Sequence, residues 1–171
     1  MSTPGPFAHV ACCIDDTSAA RVALGHAVRL AGFGPARLSV VHVVEPPSFA
    51  GAVVSGVAAA FGGGGMVDEA GGHRQAAEAF LEAAIDGIEG AEPVLLDPAR
   101  HDSVPDAVCD WARESDVDLL VAAAHGGALG RLRSIGSFSA HLARHAPCPV
   151  LLIPADETEQ EEQRPGGEAA G

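Results

Sequence analysis

No lysine occurs anywhere in this chain: all ten basic residues are arginine. That absence excludes a P-loop site, a Schiff-base lysine and a Ser–Lys dyad, each of which is built on an ammonium group. Asparagine is missing as well, so the chain offers no N-glycosylation acceptor and no papain-like Cys-His-Asn triad. Positive charge is scarce: 10 basic residues stand against 23 acids, for a formal net charge of −13. Surfaces that grip nucleic acid need clustered cations to displace counterions, so neither nucleic acid nor a membrane is expected as a partner. Long apolar runs are also lacking, and none approaches the roughly 18 residues that span a bilayer. Residues 1–7 carry Pro4, Gly5 and Pro6 and no basic stretch, unlike a secretory leader. The four cysteines, Cys12, Cys13, Cys109 and Cys148, form no C-x-x-C pair. They are expected to be buried, small, apolar thiols rather than metal ligands, which suits a reducing, cytoplasmic location.

What is present suffices for one ordinary domain: 171 residues, 47% hydrophobic and 19% charged. Two periods alternate along it. His9 to Ile14 (H-V-A-C-C-I) is a short apolar strand. Asp15, Asp16, Thr17 and Ser18 follow, residue types that open helices. Ala19, Val22, Ala23, His26, Ala27 and Leu30 then share one helical face, ended by Gly32 and Gly34. Leu38 to Val44 is a second strand, rich in β-branched residues and stopped by Pro46-Pro47. Residues 48–72 read as a Gly-rich flexible connector. The glycine run at 62–65 has no strand leading into it and no Gly-Lys-Ser/Thr after it, so a phosphate cradle there is the weaker reading.

Ala77, Phe80, Leu81, Ala84, Ile85 and Ile88 mark a second amphipathic helix, and Pro93 to Leu96 a third strand. Ser103-Val-Pro-Asp106 has the form of a helix start, a hydroxyl cap with an acid three residues on and proline in the first turn. Val104, Val108, Trp111 and Ala112 then face the core. Asp118 to Ala123 is a continuously apolar fourth strand. Ile135 to Arg144 forms a fourth helix with Phe138 and Leu142 inward, Pro147-Cys-Pro149 breaks it, and Val150 to Ile153 is a fifth strand. Residues 156–171, with six acids and one arginine, lack apolar periodicity and are expected to be a disordered acidic tail.

This alternation predicts an α/β fold over residues 1–155: an open five-stranded parallel sheet with helices on both faces, a Rossmann-like three-layer sandwich. Ligands of such sheets bind beyond the carboxyl ends of the strands, so two loops matter most. Asp15 ends the first strand, where a carboxylate can accept hydrogen bonds from a ribose or a base amine, or can equally serve the following helix start. Ala123-Ala-His-Gly126 is followed by nine residues and then Gly136-Ser137. Peptide N–H groups and a hydroxyl at a helix start favour phosphate, and Arg131 and Arg133 add positive charge between them. A structural turn and helix cap would use the same residues. His42, inside the second strand, reads as a hydrogen-bonded core histidine, and His125 as a general base, a phosphate partner or a residue that shapes its turn.

Taken in order, these residues resemble the universal stress protein family. The marks are Ile14-Asp15 with Ser18 nearby; Val41-His-Val-Val-Glu-Pro46; Asp118-Leu-Leu-Val121; and, above all, Gly136-Ser137 running through Ala143-Arg-His-Ala-Pro-Cys-Pro-Val-Leu-Leu-Ile153. The resemblance covers about Phe7 to Pro154. It implies an adenine nucleotide alpha hydrolase-like sheet with four helices, and homodimers that meet through the last strand, Val150 to Ile153. It is to the branch that binds ATP through Gly-x-x-Gly, nine residues and Gly-Ser/Thr. Carried over, Asp15 would meet the ribose or adenine, the Val43 backbone the adenine, and Gly126, Gly136 and Ser137 the phosphates. Phe138 would add a backbone N–H. The pattern's first glycine is Ala123 here, which adds a methyl and disfavours positive φ.

The leading expectation is a dimeric stress-response module that binds ATP without efficient turnover. No nucleophile–base–orienter set can be assembled from the sequence. Mg²⁺ would arrive only with the nucleotide, since no carboxylate cluster accompanies the glycine loop. The alternatives are a slow ATPase using Ser137, Arg131, Arg133 and His125 on the transferring phosphate, and a stress scaffold that binds no nucleotide.

Overall fold

The computed structural model describes residues 5–44, 69–124 and 136–154. Five strands are β1 (His9–Cys13), β2 (Arg37–Val43), β3 (Ala91–Leu96), β4 (Leu119–Ala124) and β5 (Val150–Pro154). Four α-helices lie among the described residues: α1 (Ser18–Ala31), α2 (Glu69–Ile85), α3 (Val104–Glu114) and α4 (Ser137–His145). A short 3₁₀ turn at Pro98–Arg100 precedes α3. The strands form one sheet in the order β3-β2-β1-β4-β5, and every pairing is parallel. The expected fold is thus the observed one.

Successive strand residues face opposite sides of a sheet, and β1 shows how two layers of core follow. Val10 and Cys12 join one apolar cluster with Ala23, Leu24 and Ala27 of α1 and Leu81 of α2. Ala11 and Cys13 join the other, with Val108 and Ala112 of α3 and Leu142 of α4. The adjacent thiols Cys12 and Cys13 therefore lie on opposite faces.

Most element positions match the sequence pattern, with instructive differences. On α1 the buried residues are Ala19, Ala20, Ala23, Leu24, Ala27 and Ala31, whereas Val22, expected inward, is 46% exposed. The sheet selects the row of small side chains, which allows close approach, and Leu24 rather than Val22 faces inward. Helix α2 begins at Glu69, so residues 69–72, read as connector, are helical. Residues 45–68 and the tail lie outside the described residues. Strand β3 starts two residues before Pro93. Val44 N–H bonds to Leu96 O (2.8 Å), and alternation along β3 then turns the Pro93 nitrogen to the open edge, where a missing N–H breaks no ladder bond. Trp111 packs as expected, half-buried, edge-on to the His9 ring at 6.1 Å.

Thr17 caps α1 by accepting the Ala20 N–H (3.2 Å), and Ser103 caps α3 by accepting the Asp106 N–H (3.3 Å). At the amino end of the sheet, the buried His9 ring sits between Ser115 O (3.0 Å) and the Ser39 hydroxyl (2.8 Å). Asp118 there accepts the Ala8 and His9 N–H groups. These contacts leave the carboxyl end of the sheet open for a site.

Candidate functional site

A cleft of about 560 Å³ opens at the carboxyl ends of β1, β2 and β4. The sheet order reverses between β1 and β4, and a doubly wound sheet gapes where its connections diverge. Ile14 and Asp15 beyond β1, His42 and Val43 of β2, and Ala122 and Ala123 of β4 form its floor. Ser103, Val104 and Pro105 at the start of α3 and Ser137, Phe138 and His141 of α4 form its wall.

Asp15 is exposed and projects from the end of β1. Its Oδ1 accepts the Thr17 N–H (3.0 Å) and the Thr17 hydroxyl. The helix cap itself is Thr17, so Asp15 braces the cap residue and also lines the cleft. The carboxylate thus serves the helix start through Thr17 and is not itself the cap.

Val43 lines the cleft at the end of β2. In a parallel ladder alternate residues aim both peptide groups at the same neighbour. Val41 O accepts Ile14 N–H (2.9 Å) on the β1 side, and Val44 N–H reaches Leu96 O on the β3 side. Val43 therefore aims its N–H and C=O toward β1, beyond the last paired residue of that strand.

Gly136 is the N-cap of α4 (φ −55, ψ 159), with no side-chain cap bond. Its O accepts Ala140 N–H (2.9 Å), but the N–H groups of the first helical turn have no carbonyl within the helix. Ser137 is exposed and Phe138 half-buried at this end. Glycine here serves by leaving the helix start uncovered, not by adopting positive φ.

Ala123 is 5% exposed within β4, paired in register with Ile153. Among the described residues Asp116 is the one non-glycine residue at positive φ (52°), so alanine at 123 meets ordinary strand geometry. Gly126, Arg131, Arg133 and His125 lie outside the described residues.

The sequence reading missed three contributors. Ser139, 2% exposed, donates its hydroxyl to Ala123 O (2.8 Å) and so ties the start of α4 to the end of β4. Ser103 was read as a cap, and it also lines the cleft. His141 lies one turn after Ser137, and its Nε2 is 2.9 Å from Asp106 Oδ1, with the N–H poorly aligned for a hydrogen bond. The Ser103 hydroxyl first, and His141 and His145 after it, hold the Asp106 carboxyl below its ordinary value against an opposing effect of burial. The i, i+4 spacing of Ser137 and His141 was the available signal for that side chain. Burial, then neighbouring thiols, pushes Cys13 at the cleft floor up to about 12, which leaves it a packing thiol.

These features define a doubly wound α/β domain with a cleft at the reversal of strand order. The chain belongs to the universal stress protein family, whose model matches residues 6–154. A structure from that family from Burkholderia pseudomallei superposes with a TM-score of 0.60 and 24% identity, covering 89% of this chain and 100% of that one. A universal stress protein in complex with cAMP gives 0.60 and 21%, covering 86% and 97%. The universal stress protein from Archaeoglobus fulgidus in complex with dAMP gives 0.55 and 22%, covering 90% and 99%. At these identities the shared property is the fold. Comparison with curated proteins gives no match.

Proposed function

We propose that the cleft binds an adenine nucleotide, with ATP the leading candidate, and that the protein is a dimeric stress-response binding module rather than an efficient enzyme. The observation that carries this reading is the pairing, across one cleft, of an open backbone edge at Val43 with an uncapped helix start at Gly136. Adenine presents a ring-nitrogen acceptor beside an amino donor, which complements a peptide N–H and C=O on one residue. Asp15 suits ribose hydroxyls. The N–H groups of Ser137 and Phe138 and the Ser137 hydroxyl suit phosphate oxygens. Gly126, Arg131 and Arg133 enter by sequence alone, in the segment joining β4 to α4. The nucleotides named in two similar structures, cAMP and dAMP, are both adenine nucleotides.

Mg²⁺ would come with the nucleotide, because no group of three or more metal-ligating side chains is assembled among the described residues. The strand geometry at Ala123 supports the nucleotide reading over the scaffold reading, since no positive φ is asked of the alanine. The dimer is assigned to β5, an edge strand with an open side, and the compartment to the cytoplasm. Titration with labelled ATP should give saturable binding that weakens at least tenfold in Asp15→Ala. A folded protein that takes up no ATP at millimolar concentration would refute the nucleotide reading. ADP release at a steady rate that Ser137→Ala abolishes would replace the binding module with a slow ATPase.

A further inference from the structure

The β1–β2 ladder stops while β2 runs on to Val43. Its last bridge joins Cys13 and Val41, and one further bond, Ile14 N–H to Val41 O (2.9 Å), follows it. The next bond of a parallel ladder would run from Val43 N–H to Ile14 O. Instead, Ile14 O accepts a hydrogen bond from Nδ1–H of His42 (2.9 Å). A carbonyl acceptor requires the proton on Nδ1, which fixes that nitrogen as the donor. The Val43 N–H has no backbone partner among the described residues. The ring is held by Phe80 of α2, with centroids 4.9 Å apart and planes tilted by 55°. His42 is half-buried and lines the cleft beside Val43.

We infer that His42 is a positioning residue for base recognition: its imidazole takes the Ile14 carbonyl away from the ladder and so keeps the Val43 N–H open to the ligand. A side chain that competes with the backbone for a hydrogen bond can end regular structure, and a polar backbone group left open in a cleft needs a partner from elsewhere. The freed donor sits beside the Val43 carbonyl, and the two read an acceptor next to a donor. Adenine matches that order. Guanine and hypoxanthine, with N–H beside a carbonyl, present the reverse. The histidine thus sets purine selectivity without touching the base, and Phe80 holds it in place. This inference rests on the adenine-nucleotide reading of the cleft for its selectivity, though the backbone effect stands apart from it.

The test compares His42→Leu, which removes the donor, with His42→Asn, whose amide nitrogen can stand near Nδ1 and donate to Ile14 O. Amide hydrogen exchange at Val43, without nucleotide, should be fast in the native chain and in His42→Asn. It should slow markedly in His42→Leu as Val43 N–H closes onto Ile14 O. ATP affinity should fall up to about tenfold in His42→Leu, the worth of one hydrogen bond, while affinity for GTP and for tripolyphosphate stays level. His42→Asn should restore the preference for ATP over GTP. Equal Val43 exchange in native and His42→Leu proteins overturns the inference, as does an unchanged ATP-to-GTP ratio in a folded His42→Leu. If the native protein binds no ATP, the nucleotide reading fails on its own, and Val43 exchange still decides the role of His42.

Discussion

Ala123 occupies the position where the family pattern places a glycine, and its surroundings explain why alanine is accommodated. Its backbone is that of an ordinary strand, its methyl belongs to the apolar cluster that includes Ala20 and Ile153, and its carbonyl is taken by Ser139. Glycine would add only conformational freedom to the unfolded chain and lose packing. Ala123→Gly should therefore lower stability by about 1 kcal/mol and leave ATP affinity within about twofold; a large gain in affinity would mean that the methyl obstructs the ligand. Ser139→Ala should do more damage. It strands a buried carbonyl, an effect of about 1–3 kcal/mol, readable as a lower urea midpoint, and it unties α4 from β4, so nucleotide affinity should fall with it. The thiols give a third residue-scale expectation. Burial raises all four, most clearly Cys12 and Cys13, and the thiolate is the reactive form. Native Cys12 and Cys13 should resist iodoacetamide at about pH 8 while the urea-unfolded chain is alkylated fully, a difference mass spectrometry resolves. Prompt labelling of native Cys13 would contradict its burial.

Helix starts decide most of what happens at the scale of elements. Helices begin at the carboxyl-end rim of the sheet, and α1, α3 and α4 differ in who satisfies the first N–H groups. Thr17 and Ser103 do so for α1 and α3, while Gly136 leaves α4 bare. That contrast is what supports α4 as the end proposed to meet phosphate. The start of α3 also carries an acid-sensitive contact. With its folded pKa lowered from 3.8 by the Ser103 hydroxyl first and by His141 and His145 next, Asp106 contributes stability that is complete above the unfolded value. That contribution is lost as pH falls through the lower folded value. Asp106→Asn should thus cost thermal stability at neutral pH and lose less than the native chain between about pH 4 and pH 2. Parallel pH profiles of Tm would show no mechanism of this kind. The exposed pairs Arg37–Glu92 and Arg74–Glu78 should change stability by no more than about 1 kcal/mol when broken.

At the scale of the whole molecule, the sheet order places the two chain segments that line the candidate site side by side although they are 80 residues or more apart. Asp15 and Val43 come from the first half-sheet, Ala123 and Ser137 from the second, and the reversal between β1 and β4 leaves the space between them. The same order puts β5 at an edge. Leu120 N–H bonds to Pro149 O (3.0 Å), so alternation turns the peptide groups of Val150 and Leu152 outward. Proline at an outward position removes an edge donor without touching the β4 ladder. If the chain pairs through β5 as proposed, Leu152→Pro should convert the dimer to a folded monomer, measured by analytical ultracentrifugation together with far-UV circular dichroism. An unchanged dimer would move the interface away from β5.

The sequence by itself determined the period of each element, and hence the α/β class, because apolar spacing is local information. It also marked Asp15, Gly136 and Ser137, because acids, glycines and hydroxyls at strand ends and helix starts have local chemical meaning. It misjudged Val22, because two adjacent rows of α1 are apolar and only the approach of the sheet chooses between them. It could not show that His42 meets Ile14, that Ser139 holds Ala123 or that Val43 faces past the end of β1. Those facts depend on register between strands far apart in the chain and on where one strand stops relative to its neighbour, which is settled only when all five lie in one sheet. The missing lysine, met at the outset as an exclusion, fits the same outcome: the proposed phosphate end rests on peptide N–H groups and a hydroxyl, which the tertiary structure aims and which no ammonium group need supply.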